Sequence, residues 1–274
     1  MSYIAACIQM TSGDDVAANI AQCEALLQDA LAQKATFIAL PENAFYMRRE
    51  GTVSGGIYKI NDHPGVQWAQ KIAAQHNVWI LIGSIRAKTS PEAKPMNRSV
   101  LVSPQGIAAT YDKLHLFDVT LPDGTNYRES AQSAAGEHAV LARTPLGSIG
   151  LSICYDLRFP HLYRELALGG AEILLVPSAF TRPTGAAHWH ALLRARAIEN
   201  GAYVIAPAQY GEHPGGRTTY GHSLIIDPWG NILAEAGDEP CVIAATIDLE
   251  KVSEVRKQLP MLQHHKAITE VKIV

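Results

Sequence analysis

A cysteine at the end of an apolar run is the first residue of this chain whose position suits chemistry. Residues 149–153 have the short, apolar character of a buried strand, and Cys154 follows them directly. A thiol held at the end of a buried strand can be rigid and still face a pocket, which is where an α/β protein places a nucleophile. Free cysteines are also common in cores as small apolar residues, so Cys154 needs partners before it predicts catalysis.

A carboxyl group and an ammonium group could be those partners. Glu42 follows Pro41 at the end of another short apolar strand, where burial is expected to raise the pKa of its carboxyl and suit it to general base catalysis. Lys113 begins a long polar stretch, where a cation could lower the pKa of a nearby thiol or stabilise an oxyanion. Taken alone, Glu42 could equally be a solvated loop residue and Lys113 a surface partner of Asp112.

The elements that must position these residues alternate along the chain between strands and helices. Helices are predicted over residues 14–34, 63–76, 160–168, 186–200 and 249–258. Strands are predicted over residues 3–10, 36–40, 78–85, 98–102, 107–111, 138–143, 149–153, 172–176, 202–206, 223–226, 232–235 and 242–247. Two stretches without periodicity, 112–136 and the Gly/Pro-rich 211–216, are predicted to be loops.

The two halves of the chain resemble each other, which predicts how the sheets pack. Four segments recur in the same order: 4–10 with 149–155, 37–45 with 173–180, 77–83 with 201–207, and 98–108 with 222–233. Each half can cover one sheet face with helices, and the remaining apolar faces can pack on each other. The fold class predicted is therefore α/β, a four-layer α-β-β-α sandwich, in a single domain over residues 1–274. Glu42 and Cys154 end strands of different halves and can converge on one pocket.

Three short blocks resemble the signature blocks of the nitrilase superfamily of carbon–nitrogen hydrolases. They are residues 40–45, 111–117 and 152–160, in the family's order, and the resemblance extends over nearly the whole chain. It implies the α-β-β-α fold that the repeat predicts, in a homodimer that packs face to face. The C-terminal tail, about 260–274, is expected at that interface.

The same resemblance implies a set of site residues. The family's Glu-Lys-Cys triad falls on Glu42 as general base, Lys113 as oxyanion stabiliser and Cys154 as nucleophile. A second family glutamate falls on Glu129, which is expected to orient Lys113 or the substrate. The backbone N–H of Tyr155 is expected to complete the oxyanion hole, so that an amide is cleaved through a cysteine thioester.

Later segments are similar to the deaminated glutathione amidases within this superfamily. They are residues 177–180, 184–189, 192–199, 220–223 and 227–230. This similarity implies hydrolysis of deaminated glutathione to 2-oxoglutarate and Cys-Gly. The ω-amidases, which act on 2-oxoglutaramate or 2-oxosuccinamate, share much of these segments and stay an alternative. A catalytically idle binding protein of the same fold is a third, against which the intact triad counts.

A substrate of this kind is acidic, and arginine binds carboxylates well. Phe180 and His188 are also expected to line its pocket. Four arginines in predicted loops are candidates, with Arg182 favoured because it follows a strand end: Arg48, Arg49, Arg182 and Arg217.

Composition bounds the remaining possibilities. The chain has 274 residues, 47% of them hydrophobic and 18% charged, with a net charge of -3, which gives no basic footprint for nucleic acid or membranes. The four cysteines form no CxxC pair, which favours a reduced, cytoplasmic protein without a zinc ribbon or disulfide framework. No apolar run reaches the roughly 18 residues of a membrane span. No metal site and no cofactor are expected.

Overall fold

Strands and helices alternate along the residues that the computed structural model describes, which are 2–49, 55–120 and 124–273. The helices are α1 Val16–Ala32, α2 Pro64–His76, α3 Pro160–Leu168, α4 Arg182–Asn200 and α5 Leu249–Gln258. The strands are β1 Ser2–Gln9, β2 Phe37–Ala39, β3 Ile57–Tyr58, β4 Trp79–Ala87, β5 Met96–Ser103, β6 Gly106–Asp112, β7 Asp118–Thr120, β8 Asn126–Arg128, β9 Val140–Thr144, β10 Gly147–Leu151, β11 Ile173–Leu175, β12 Tyr203–Ala206, β13 Tyr210–Glu212, β14 Thr218–Tyr220, β15 Leu224–Ile226, β16 Ile232–Glu235 and β17 Cys241–Asp248.

Two large sheets repeat one topology. The first has the order β17-β1-β2-β4-β5-β6, with β3 paired to β4, and the second has the order β16-β15-β12-β11-β10-β9. In each sheet three neighbouring strands are parallel, β1-β2-β4 in one and β10-β11-β12 in the other. An antiparallel hairpin follows each parallel set. The internal repeat predicted from the sequence is thus a repeated sheet topology.

The layers follow from the alternation of side chains along each strand. In β1, Ala6 and Ile8 pack in one apolar cluster with Leu27 of α1. Ala5 and Cys7 point the other way and pack in a second cluster, which contains the strands of the second sheet and residues of α3 and α4. Helices therefore cover the outer faces and the sheets meet at the inner faces, which confirms the predicted α-β-β-α sandwich. A slip of one residue in register would exchange the two faces, so burial on both sides fixes the register.

Capping residues set the ends of several helices. Asp15 accepts a hydrogen bond from the Ala18 N–H at 3.0 Å at the start of α1. His63 does the same for the Gly65 N–H through Nδ1 at 3.0 Å, at the start of α2. Gly201, at φ 53°, ends α4 in the left-handed conformation that favours glycine.

One predicted boundary was wrong, and two predicted loops contain short strands. Helix α4 begins at Arg182 rather than at residue 186, because a proline in its first turn suits a helix start. The stretch 112–136 contains the β7–β8 hairpin and a 3₁₀ turn, Glu129–Ala131. The stretch 211–216 lies within the β13–β14 hairpin. These strands have only three residues each and are partly exposed, so no apolar run marks them. No helix in the described part of the chain is long and apolar enough to cross a membrane.

Candidate active site

Glu42, Lys113 and Cys154 line one pocket, although the chain separates them widely. Glu42 follows β2, Lys113 follows β6, and Cys154 begins a 3₁₀ turn shortly after β10. The first two come from the first sheet and the third from the second sheet. The pocket therefore opens where strand ends of both sheets converge, as the comparison of the two halves predicts. Glu129 and Tyr155 also line it.

Lys113 is held between two carboxylates. Its Nζ donates to Glu42 Oε1 and to Glu129 Oε2, both at 2.9 Å, and the lysine side chain is only 2% exposed. Asn97 Nδ2 lies beside it and donates to Glu42 Oε1 at 2.9 Å and to Glu129 Oε1 at 3.0 Å. The Phe117 N–H donates to Glu129 Oε2 at 2.7 Å. A buried charge is tolerated when it is paired and hydrogen-bonded in this way, so the ammonium group has one fixed position.

The backbone around Glu42 depends on a close approach that only glycine permits. A Cβ at Gly83 would lie 2.2 Å from the Leu40 carbonyl oxygen and 2.3 Å from that of Pro41. Strand β4 can therefore pack directly against the residues that lead into Glu42. The second carboxylate oxygen of Glu42, Oε2, accepts the Ala179 N–H at 2.9 Å. Both oxygens of the glutamate are thus oriented, one towards Lys113 and one towards the second half of the chain.

Cys154 has a backbone conformation that is rare for its residue type. Its φ is 49°, in the left-handed region, and its N–H donates to the Pro177 carbonyl at 3.0 Å. Such strain persists only where the surroundings impose it, and it is concentrated at functional sites. Tyr155 is the second residue of the 3₁₀ turn, so its N–H is among those that lack an acceptor within the helix. That N–H is available to a group bound beside the thiol.

Asp156 connects the cysteine turn to the segment around the buried lysine. The Asp156 side chain is fully buried. Its Oδ2 accepts the Tyr111 O–H at 2.7 Å and the Ile153 N–H at 2.9 Å. Its Oδ1 accepts the His115 N–H at 3.0 Å and lies 2.7 Å from the His115 Nδ1. One carboxylate therefore fixes both segments relative to each other.

The charges in the pocket set the resting protonation states. Burial raises the pKa of the Cys154 thiol, and the Glu42 charge raises it further, against the opposing effect of Lys113. Burial alone would raise the pKa of the Glu42 carboxyl, but the charges of Lys113 and Arg217 keep that pKa below its usual value. Burial would lower the pKa of Lys113, but Glu129 and Glu42 raise it. The expected rise in the pKa of the glutamate was therefore wrong. Lys113 does lower the pKa of the thiol, as expected, but burial and the Glu42 charge outweigh it. The resting site contains a carboxylate, an ammonium and a neutral thiol.

Only some of the predicted substrate contacts lie in the pocket. Phe180 lines it, and so does Arg48, which donates to Gln132. Arg182 is exposed at the start of α4, and the exposed His188 contacts Arg158 at 3.3 Å; neither lines the pocket. The reason is the early start of α4, which carries both side chains away from the strand end.

Arginines from four separate segments reach the pocket. They are Arg48, Arg86, Arg128 and Arg217. Arg49 does not, and pairs instead with Asp14 at 3.4 Å. Among the described residues that line the pocket, these arginines and Lys113 make five cations, against two carboxylates, Glu42 and Glu129. The pocket therefore carries a surplus of positive charge and suits an anionic ligand.

Sequence reasoning missed several residues of this pocket and its supports, among them Arg86, Arg128, Asn97 and Asp156. A charged residue within an apolar strand is a usable signal for Arg86, which is 9% exposed in β4. Asn97 and Asp156 gave no such signal, because their role depends on contacts between distant segments.

A group of side chains able to hold a metal ion lies elsewhere. The ligand atoms of His190, His222 and Glu235 lie within 4.8 Å of one another. Glu235 Oε1 contacts His190 Nε2 at 2.9 Å and His222 Nδ1 at 3.1 Å. None of the three lines the pocket, so this group does not take part in the arrangement around Cys154.

Comparison with known proteins places this arrangement in a family. The carbon–nitrogen hydrolase family profile matches residues 4–257. The chain is 44% identical over 271 residues to a deaminated glutathione amidase of Synechocystis sp., covering 96% of this chain and 97% of that protein.

Two solved structures have the same fold. The NitFhit protein of C. elegans superposes with a TM-score of 0.87 at 36% identity, covering 97% of this chain and 65% of that longer one. Nit3 of Saccharomyces cerevisiae, a member of branch 10 of the nitrilase superfamily, superposes with a TM-score of 0.85 at 29% identity, covering 95% of each chain. The chain belongs to the carbon–nitrogen hydrolase family of the nitrilase superfamily and is an amidase.

Proposed function

We propose that this amidase cleaves deaminated glutathione to 2-oxoglutarate and Cys-Gly through a thioester on Cys154. The observation that carries the proposal is the pocket itself, where a thiol, a carboxylate and an ammonium group meet under a surplus of cationic side chains. The Synechocystis relative is a deaminated glutathione amidase. The cationic pocket supports the same substrate here, because deaminated glutathione carries two carboxylates.

Acylation begins from a neutral thiol. Glu42 is ionised and hydrogen-bonded to Cys154, so it takes the thiol proton as the sulfur attacks the amide carbon. The carbonyl oxygen gains negative charge, which Lys113 Nζ and the Tyr155 N–H stabilise. One such oxyanion donor contributes about a hundred- to a thousandfold in rate. The intermediate then collapses, the C–N bond breaks, and Glu42 returns the proton to the leaving amine.

Deacylation uses the same groups in reverse roles. Glu42, again a carboxylate, removes a proton from a water molecule that attacks the thioester carbonyl. Lys113 and the Tyr155 N–H stabilise the second oxyanion, and collapse releases the carboxylic acid and the thiol. Glu129 holds Lys113 in place through both steps by its 2.9 Å ion pair.

A panel of amides tests this proposal. Amine release is measured with deaminated glutathione, 2-oxoglutaramate, 2-oxosuccinamate and neutral amides of the same length. We expect deaminated glutathione to give the highest kcat/KM, with the Cys154→Ala variant inactive on every amide. Cys241→Ala is the matched control. That free cysteine begins the edge strand β17 and does not line the pocket, so its replacement should leave kcat/KM unchanged. A preference for 2-oxoglutaramate would identify an ω-amidase instead.

The exposed apolar side chains of the tail support a proposed assembly. Ile268, Val271 and Ile273 are 84%, 79% and 93% exposed. Apolar side chains in such a segment are expected to be covered by another chain, so we propose a homodimer with the tail, 260–274, at its interface. The four free cysteines support a reducing, cytoplasmic location. Light scattering of the whole chain should give the mass of a dimer, and removal of residues 265–274 should shift it towards the monomer. A monomeric whole chain would contradict this assignment.

A further inference from the structure

We infer that the pocket binds a carboxylate on each side of the scissile amide, with Arg217 holding that of the acyl part and Arg86 that of the leaving group. This inference rests on the proposed function, because it assigns the two ends of a substrate that Cys154 attacks. With two such carboxylate sites, the enzyme would favour a long amide with a carboxylate at each end over a short amide that releases ammonia.

Arg217 lies close to the reacting groups. Its Nη2 donates to the Ala179 carbonyl at 2.7 Å, and the N–H of the same residue donates to Glu42 Oε2. The Arg217 Nε is buried and has no acceptor among the described residues. The guanidinium lies 5.6 Å from the centroid of the Tyr127 ring. No ion pair within the described residues neutralises this cation, although its charge acts on Glu42.

Arg86 reaches the pocket from the opposite half of the chain. It lies in β4, is 9% exposed, and donates through Nη1 to the Gly55 carbonyl at 2.9 Å. Burial lowers the pKa of its guanidinium, and the neighbouring charge of Arg48 lowers it further. In the part of the chain that the structure describes, no carboxylate forms an ion pair with Arg86. Burial of the Arg86 guanidinium and its repulsion by Arg48 are both unfavourable. A ligand carboxylate that binds Arg86 would offset both effects.

The positions of the two arginines decide which end of the substrate each binds. Ala179, whose carbonyl accepts from Arg217, lies beside the thiol: its N–H lowers the pKa of Cys154 and donates to Glu42 Oε2. The acyl chain attached to Cys154 is short, so its carboxylate must lie near the thiol, within reach of Arg217. The leaving group is longer, and we assign its terminal carboxylate to Arg86, which lines the same pocket but is not among the main charges that act on Glu42 or Cys154. An amide that releases only ammonia has nothing for Arg86 to bind.

Two substrates that differ in one charge test the assignment. The first is deaminated glutathione, and the second is the same molecule with its terminal glycine carboxylate converted to a carboxamide. For the wild-type enzyme we expect kcat/KM to favour the acid by about ten- to a hundredfold, the effect of one charged hydrogen-bond pair. Arg86→Gln should reduce this preference to near unity, and Arg86→Lys, which keeps the charge, should retain part of it.

Arg217→Gln should behave differently. Because both substrates share the acyl part, we expect kcat/KM to fall by a similar factor for each, about ten- to a hundredfold, with the preference intact. Arg143→Gln, an exposed arginine of β9 that does not line the pocket, is the matched control and should leave both values unchanged. Melting temperatures show that each variant is folded before its kinetics are compared.

The outcomes separate this inference from the proposed function. Folded Arg86→Gln and Arg86→Lys variants that both keep the full preference for the acid would overturn the assignment of Arg86. An Arg217→Gln variant that loses the preference, with kcat/KM for the carboxamide unaffected, would overturn that of Arg217. Failure of the proposed function looks different: the wild-type enzyme would hydrolyse neither substrate, or Cys154→Ala would hydrolyse both.

Discussion

The substitution Asp156→Asn tests how the turn that begins at Cys154 is held against the segment that contains Lys113 and His115. The wild-type carboxylate accepts two backbone N–H groups, from Ile153 and His115, one at each oxygen. It also accepts the Tyr111 O–H and contacts the His115 ring. Asparagine has the same shape but only one oxygen, so its NH₂ group must face one of the two backbone donors.

The magnitude follows from those contacts. Tyr111 and the His115 ring can reverse their roles and accept from the new NH₂ group, but a backbone N–H cannot. One buried donor is therefore always left without an acceptor, which costs about 1–3 kcal/mol, and the loss of charge on the other bonds adds about 1 kcal/mol. We expect the free energy of unfolding to fall by about 2–4 kcal/mol, and Tm by about 4–12 °C. Displacement of Cys154 relative to Lys113 should lower kcat/KM by about a hundredfold.

The assay has two parts, thermal unfolding and amide hydrolysis well below the lowered Tm. Asp29→Asn, in the exposed face of α1, is the matched control and should change neither. A folded Asp156→Asn protein with wild-type kcat/KM would show that this carboxylate does not position the nucleophile. A wild-type Tm as well would refute the reasoning about buried donors.

Three further perturbations follow from the same contacts. Gly83→Ala would force a methyl group against the backbone that leads into Glu42, so we expect the free energy of unfolding to fall by about 1–3 kcal/mol and kcat/KM of the folded variant to fall about tenfold or more; unchanged stability and kinetics would count against the need for that close approach. Glu129→Gln exchanges one acceptor of Lys113 or of its neighbours for a donor, so kcat should fall strongly with a small change in Tm, and an active variant would leave Glu129 as a mere loop residue. Burial lowers the pKa of His63 to about 4, so between that value and the unfolded value of about 6.5 the unfolded chain binds more protons and stability falls as the pH falls. His63→Asn keeps an N-cap acceptor without titrating, and should reduce the loss of unfolding free energy between about pH 8 and about pH 4.5 by about 2–3 kcal/mol; equal losses in both proteins, from denaturant titrations, would contradict the assignment to His63.

Much of the fold was predictable because it depends on local periodicity. The helix Pro160–Leu168 has the predicted bounds, and most core strands lie within two residues of theirs. The repeat then predicted how the sheets pack, since two apolar faces had to meet. The β7–β8 hairpin escaped prediction because its strands are short and mostly exposed, so no apolar run marks them.

The site was predictable only in part. The convergence of Glu42 and Cys154 followed from strand ends in a repeated fold, and the pocket contains both. The protonation states did not follow, because they depend on the sum of burial and four neighbouring charges. Asn97 and Asp156 were not predictable, because each acts by joining segments distant in sequence. The prediction that Arg182 binds the substrate was wrong for a simpler reason. Helix α4 begins four residues earlier than predicted, which changes the direction of the side chains in its first turn.

The most direct test of the account is the mass of the enzyme during turnover. Acid quenching of the wild-type protein with deaminated glutathione, followed by peptide mass spectrometry, should find the 2-oxoglutaryl group on the peptide that contains Cys154. In the Glu42→Gln variant, a reactive thioester donor is used to acylate Cys154. Because this variant should remove a proton from water more slowly, it should retain more of the adduct than the wild-type protein. Efficient hydrolysis with no adduct on that peptide in either protein, or with Cys154→Ala fully active, would contradict the claim that the thiol is the nucleophile.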